Sequence, residues 1–302
     1  MSLLVVGSIA FDTIKTPVCE VEATVGGSSV YFSLAASFFG PVRLVGVVGD
    51  DFPQDSLRLL GERGVDTTGL EVVPGGKTFR WSGEYFENMN QRETRSVELN
   101  VLEDFAPKIP NAYRDSSFVF LANAAPTTQL SVLDQVTSPR FVMADTMDLW
   151  IRTQRRDLLD LLKRVNGVVI NEDEAILLTD KRNLIEAGKE ILDLGPERVL
   201  LKKGEHGALL FTREGVIPLP AFPVRDVRDP TGAGDCFAGG LMGQLTRIGR
   251  LDDEAIKTAM AYGAVTASLC VEDFGVRRLL EAEAEEVVSR FHRYRDLLAI
   301  AE

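Results

Sequence analysis

The chain has 302 residues, 45% of them hydrophobic and 26% charged, with a formal net charge of −12. That is ample for a packed core, and the charged share is ordinary for a folded protein. The acidic balance and the lack of a Lys/Arg stripe exclude nucleic acid as a partner; the densest basic stretch, Arg152–Arg156, runs straight into Asp157 and Asp160 and reads as a solvated helix face.

In chain order, Leu3–Val6 reads as a buried strand, because the run from Met1 to Gly7 lacks the basic flank and cleavage site of a signal peptide. Ser28 and Ser29 are placed to cap a helix through Val30–Phe39 that stops at Gly40-Pro41. Val42–Val48 is an apolar strand and Gln54–Arg63 a helix ended by Gly64. Phe118–Leu121 and Phe141–Ala144 are strands, Leu158–Val165 a helix, Gly167–Ile170 a strand. Leu184–Leu194 is a helix closed by Gly195-Pro196, and Val199–Leu201 and Ala208–Phe211 are strands. Strands alternating with helices of about 10–15 residues predict an α/β fold with a mainly parallel sheet covered on both faces.

Lys77–Val101 breaks this rhythm. It has no helical period, is rich in β-formers (Thr78, Phe79, Trp81, Tyr85, Phe86, Thr94, Val97) and offers a turn at Asn88–Asn90. With Thr13–Val25 it predicts a small antiparallel flap, so the expected organisation is one domain over residues 1–302 with flap segments at approximately 13–25 and 77–103. No apolar run reaches the ~18 residues of a membrane helix, and no membrane partner is expected. Three cysteines, Cys19, Cys236 and Cys270, match no metal or redox spacing and point to a reducing, cytoplasmic setting. With only His206 and His292 in the chain, histidine-cluster metal sites are excluded and carboxylates are left as catalytic candidates.

The chemistry concentrates in Asp229-Pro230-Thr231-Gly232-Ala233-Gly234-Asp235, a small-residue loop that enters an apolar helix running to about Arg247. Gly232 and Gly234 permit close backbone approach, and loop N–H groups together with a helix N-terminus make an anion site. Asp235 lies in the first turn; by itself it reads equally as an ordinary N-terminal helix carboxylate. Two other phosphate motifs fail. Gly76-Lys77-Thr78 imitates the end of a P-loop, but Glu71 stands where its first glycine belongs. A dinucleotide fingerprint from Gly232 would need glycine where Phe237 stands.

That string resembles the C-terminal signature of the ribokinase-like (PfkB-type) carbohydrate and nucleoside kinases, and the resemblance extends over essentially the whole chain. Gly7-Ser8-Ile9-Ala10-Phe11-Asp12 resembles the first strand with its substrate-binding aspartate, and Gly26-Gly27-Ser28 the paired-glycine turn under the sugar. Asn171-Glu172-Asp173-Glu174 resembles the Asn-x-x-Glu motif near magnesium, although an Asn cap with a Glu partner is also a plain capping box. Lys202-Lys203-Gly204-Glu205-His206-Gly207 resembles the segment beside the nucleotide. The resemblance implies a three-layer αβα sandwich with a β-sheet lid, which in this family often forms a homodimer interface.

It further implies an ATP- and Mg²⁺-dependent kinase acting on the hydroxymethyl group of a small sugar or nucleoside. Asp235 is then the catalytic base, with the N–H groups of Gly232, Ala233 and Gly234 stabilising the transferring phosphoryl. A helix N-terminus is expected to lower the pKa of Asp235 and make it a weak base. Asp12, Gly26, Gly27, Ser28, Tyr31 and Asn123 fall at acceptor positions; Asn171, Glu174, Lys202, Gly204, Gly207 and Gly263 fall at nucleotide positions. Glu174 is implied to hold Mg²⁺ through water, and Asp229 and Thr231 match positions that bind a monovalent cation such as K⁺ in some members, with Asp273-Phe274-Gly275 nearby.

Ala10, Tyr31 and Ser28 replace residues that grip ribose in strict ribokinases. Regular alternation would put Phe79, Trp81 and Tyr85 on one flap face, which favours a stacked nucleobase and so a nucleoside acceptor, or else a lid or dimer core. Arg80, Arg92 and Arg95 keep a sugar phosphate or acidic sugar as the alternative, and a non-catalytic ligand sensor on the same fold is the rival from another class.

Overall fold

The computed structural model describes residues 1–299. Its strands are β1 (Leu3–Val6), β2 (Ala10–Lys15), β3 (Glu20–Gly26), β4 (Val42–Gly49), β5 (Val65–Val73), β6 (Phe79–Tyr85), β7 (Arg92–Glu98), β8 (Phe118–Leu121), β9 (Phe141–Asp145), β10 (Gly167–Asn171), β11 (Arg198–Lys202), β12 (Ala208–Phe211) and β13 (Val216–Leu219). The helices are α1 (Ser28–Ser37), α2 (Gln54–Glu62), α3 (Pro126–Leu133), α4 (Asp148–Thr153), α5 (Arg155–Leu162), α6 (Glu172–Thr179), α7 (Leu184–Asp193), α8 (Ala233–Ile248), α9 (Asp253–Cys270), α10 (Arg277–Glu281) and α11 (Ala284–Leu298).

Nine strands form the main sheet in the order β13-β12-β11-β10-β9-β8-β1-β4-β5. It is parallel from β11 to β5, with β12 and β13 added antiparallel at one edge. Successive side chains alternate between two cores. Leu3, Val5, Phe118 and Phe120 face the layer of α1, α8 and α9, whereas Leu4, Val6, Val119 and Leu121 face that of α3, α5 and α7. Burial on both faces explains why these strands read as unbroken apolar runs. The glycines of α8 let it lie against two helices at once: a Cβ at Gly239 would stand 2.4 Å from the Phe32 carbonyl oxygen of α1, and one at Gly240 2.9 Å from the Tyr262 carbonyl oxygen of α9.

Four strands form the small sheet, in the order β3-β2-β6-β7. It is mixed rather than purely antiparallel, since β2 and β6 pair in parallel. It starts at Ala10, so Asp12 belongs to the small sheet and not to the first strand of the main one. Strand β6 runs without a shift against β2, and the bulge opposite Ser82 and Gly83 puts its extra residue, Arg95, in β7. Tyr85 is buried with Ile14 and Phe274, and Trp81 packs on that cluster, while Phe79 is not part of it.

Ser28 and Ser29 do not cap α1. Gly27 holds the cap position at φ 93°, Ser28 Oγ lies 3.0 Å from Ser8 Oγ, and Ser29 Oγ donates to the Ser8 carbonyl at 2.7 Å. The helix expected at Leu158–Val165 is α5, which begins and ends three residues earlier because Lys163 already closes it.

Candidate active site

The C-terminal ends of parallel strands are where an open α/β sheet presents ligand-binding groups. Here β9, β10 and β11 end side by side in Asp145, Asn171 and Lys202. The start of α8 arrives over them from one side and the small sheet, carrying Asp12, from the other.

Asn171 caps α6: its Oδ1 accepts the Glu174 N–H at 2.9 Å, and its own N–H donates to Glu174 Oε2 at 2.9 Å. The capping box therefore exists, and it also fixes the buried Glu174 side chain at the start of α6 through Oε2. Burial, with the nearby Asp145 charge adding, pushes Glu174 up to about 7. Among the described residues no group of three His, Cys, Asp or Glu side chains is placed to hold a metal ion.

Gly232 holds the N-cap of α8 in the left-handed region, φ 75°, and a Cβ there would stand 2.3 Å from the Tyr31 ring. The Ala233 N–H, expected in the anion site, is spent on the Pro230 carbonyl at 3.2 Å. The N–H groups of Gly232, Gly234 and Asp235 have no backbone acceptor among the described residues, as the first N–H groups of a helix do not, and can bind an anion. A Cβ on Gly234 would meet Lys202 Nζ at 3.0 Å, so the space this glycine vacates is taken by an ammonium group.

Asp235 has the opposite pKa shift to the one expected from the helix terminus. Burial first, and the Asp145 charge second, raise it to about 8 despite Lys202 and Arg92 nearby. Desolvation by burial outweighs the dipole, and the like charge of neighbouring carboxylates adds to it. Asp12, buried on β2, is likewise pushed up to about 7 by burial, against a 3.4 Å bond from the Gly27 N–H. Gly26 is needed beside it, since a Cβ there would stand 2.0 Å from Asp12 Oδ2.

The other expected positions divide. Asp229 is buried, its two oxygens accepting the Thr231 N–H at 2.8 Å and the Gly275 N–H at 2.9 Å. Thr231 Oγ1 donates to the Tyr85 hydroxyl at 3.2 Å, tying the signature loop to the small sheet. Tyr31 is buried beside Asp12 and Asp229, and its hydroxyl has no protein partner among the described residues. Asn123 follows β8, where its Oδ1 accepts the Trp150 indole N–H at 2.9 Å and its Nδ2 donates to Met147 Sδ at 3.1 Å. Gly204 and Gly207 shape the turn after β11 with φ 52° and 93°, and Asn90 from the small sheet reaches that turn to donate to Glu205 at 3.0 Å. Gly263 lies apart from the cleft residues, inside the α8–α9 contact, 2.6 Å from the Phe237 carbonyl oxygen as measured to an added Cβ.

Sequence reasoning passed over Asp145, Trp150 and the role of Tyr85. Asp145 carried a readable signal, a lone carboxylate ending an apolar parallel strand. Of the small-sheet arginines, Arg80 bonds Asp51 at 2.9 Å and Arg95 pairs with Glu84. Arg92 stacks over Trp81 at 5.6 Å, has no ion-pair partner among the described residues, and lies within electrostatic reach of Asp12, Asp145, Glu174 and Asp235.

A nine-stranded sheet with a small sheet over its C-terminal edge, an anion site at a helix start and a carboxylate inside that site define a sugar or nucleoside kinase of the ribokinase type. Residues 2–283 match the pfkB family of carbohydrate kinases, and the chain belongs to that family. It is 30% identical over 270 residues to a cytidine kinase of Thermococcus kodakarensis, covering 86% of this chain and 94% of that one. It is 31% identical to a 2-dehydro-3-deoxygluconokinase of Thermoproteus tenax over 242 residues, 74% of this chain and 73% of that. Its fold is similar to that of the Burkholderia thailandensis nucleoside kinase in complex with inosine, with a TM-score of 0.78 at 20% identity over 97% of this chain and 98% of the other. A putative ribokinase II from E. coli in complex with ATP and Mg²⁺ superposes with a TM-score of 0.79 at 19% identity, over 97% and 99%.

Proposed function

We propose that the chain transfers the γ-phosphoryl group of Mg-ATP to the hydroxymethyl group of a nucleoside, with Asp235 as the base. The observation that carries this reading is the convergence of Asp12, Asp235 and Lys202 on one cleft between the small sheet and the start of α8. Asp12 accepts hydrogen bonds from acceptor hydroxyls, and the free Tyr31 hydroxyl supports the same end of the pocket. Asp235, raised by burial, is a better proton acceptor than an ordinary aspartate and takes the proton as the hydroxyl attacks. The N–H groups of Gly232 and Gly234 stabilise charge on the transferring phosphoryl group. Mg²⁺ supplies neutralisation of that charge, and Glu174 orients it through water.

A nucleoside is favoured by Trp81, whose ring stacks under Arg92 at the cleft, and by the similarity to a cytidine kinase. A second reading, an acidic sugar or sugar phosphate, is favoured by Arg92 itself, a guanidinium without a carboxylate partner. A K⁺ ion at the Asp229 loop fits a buried carboxylate that meets neutral donors of Thr231 and Gly275 and whose pKa burial raises. The exposed edge strand β7, with Val97 and Leu99 uncovered, supports a homodimer through the small sheet, and the free thiols support a cytoplasmic setting.

The test is ADP formation from Mg-ATP over a panel of nucleosides, sugars, sugar phosphates and acidic sugars, with Asp235→Asn as control. Turnover with a nucleoside that collapses in the variant supports the reading. Turnover with an acidic sugar alone replaces it by the second, and an active Asp235→Asn protein removes Asp235 as the base.

A further inference from the structure

Lys202, one of the residues that converge on the cleft, forms a buried ion pair with Asp145, and the scheme above gives neither of them a chemical step. Their side chains are 20% and 9% exposed, and Lys202 Nζ stands 3.5 Å from Asp145 Oδ1. An ion pair this enclosed loses much of its Coulombic gain to desolvation, and at this length it is not an optimised bond. Its use is better sought in what else the ammonium touches. Lys202 ends β11 in register with Asn171 of β10, and Asp145 ends β9 on the far side of β10. The lysine therefore leans across the strand ends, and its tip comes to rest against Gly234, whose own N–H has no backbone acceptor among the described residues.

The charge balance points the same way. Asp145, Glu174 and Asp235 all face Lys202 and Arg92. A cleft already overloaded with carboxylates has to admit a triphosphate, and Lys202 is the cation built into the floor of the sheet rather than carried by the small sheet. Phosphoryl transfer gains from fixed positive charge at the equatorial oxygens of the transferred group.

We propose that Lys202 is a catalytic cation that contacts an oxygen of the transferring γ-phosphoryl group, and that Asp145 is a positioning residue that holds its ammonium at Gly234. This rests on the phosphotransfer reading and adds two roles to it. The side chain missing at Gly234 makes room for the ammonium, and the carboxylate of Asp145 keeps it from swinging toward Glu174.

Two measurements test it. The first is calorimetric titration of Mg-ADP with and without aluminium fluoride, which mimics the transferring group and needs no acceptor. Wild-type protein should bind at least ~10²-fold tighter with the fluoride, as transition-state mimics do. Lys202→Met should keep its Mg-ADP affinity within about threefold and lose most of that increment. The second is kcat with the acceptor found by the panel. Lys202→Met should lower it by about 10²–10³-fold, and Asp145→Asn by about 10–10²-fold with KM for Mg-ATP little changed. The double variant should be no worse than Lys202→Met, because Asp145 acts through the lysine. Lys202→Gln repeats both measurements if the methionine variant does not fold. Weaker Mg-ADP binding with the fluoride increment intact would reduce Lys202 to a ground-state nucleotide contact and overturn the proposal. Losses that multiply in the double variant would overturn the role of Asp145. Wild-type protein that shows the increment yet turns over no acceptor would sink the acceptor assignment and leave Lys202 in place.

Discussion

Replacing Asp235 with asparagine should make the protein inactive and more stable at once, with the stability gain set by pH. The folded carboxyl titrates near 8, against 3.8 in an unfolded chain. A raised acid pKa means that the folded state holds its proton more tightly, so ionisation destabilises the fold as pH rises through that window. Below the lower value both states are protonated and the substitution is neutral; above the upper value the gain is constant. In between it grows by about 1.4 kcal/mol per pH unit, or about 3 kcal/mol from about pH 5.5 to about pH 7.5. This is an upper figure, because Asp235 keeps an edge open to the cleft and trades charge with Asp145. The assay is urea unfolding of wild type and Asp235→Asn, without nucleotide and in chelator, at both pH values, beside turnover at saturating Mg-ATP. Turnover should fall by about 10²–10⁴-fold. A stability difference that stays flat between the two pH values would refute the buried, proton-retaining carboxylate.

Other perturbations follow from the same geometry. Tyr85→Phe removes the hydroxyl that accepts from Thr231 and lies against Arg92, and should lower kcat by about 2–10-fold, the worth of one or two hydrogen bonds, with the unfolding midpoint little moved. Gly26→Ala would push a methyl group into the Asp12 carboxylate and should raise acceptor KM by at least ~10-fold with Mg-ADP affinity unchanged, as read by steady-state kinetics and calorimetry. Gly239→Ala, facing the Phe32 carbonyl of α1 at 2.4 Å, should cost about 1–3 kcal/mol of stability in urea unfolding. Replacing K⁺ with tetramethylammonium at constant ionic strength should lower kcat if a cation offsets the Asp229 charge, and unchanged turnover would remove it.

The parallel sheet was legible because each of its strands is short, apolar and followed by a helix signal. The signature loop was legible because few other uses exist for two glycines and an aspartate at a helix start. What escaped depends on relations across the sheet. Asp145 becomes meaningful only when β9, β10 and β11 lie side by side, and the link of Lys202, expected at a nucleotide position, to Gly234 only when its reach across the strand ends is seen. The helix terminus argued for an acidic Asp235, but that local rule cannot count the carboxylates that folding brings around it. The capping assigned to Ser28 and Ser29 failed for a similar reason: Ser8, twenty residues earlier, claims both side chains.

The proposed base and the proposed acceptor contacts sit on parts of the molecule with very different tolerance for change. Asp235 opens a helix wedged by its own glycines between α1 and α9, where any added side chain strikes backbone. Asp12, Trp81 and Arg92 ride instead on a four-stranded sheet whose outer strand is exposed along its length. Such a chain can acquire a new acceptor by drift on the small sheet while its chemistry is held in place by the core. Selection for a different substrate in the laboratory should therefore accumulate substitutions in β2, β3, β6 and β7 and leave α8 almost untouched.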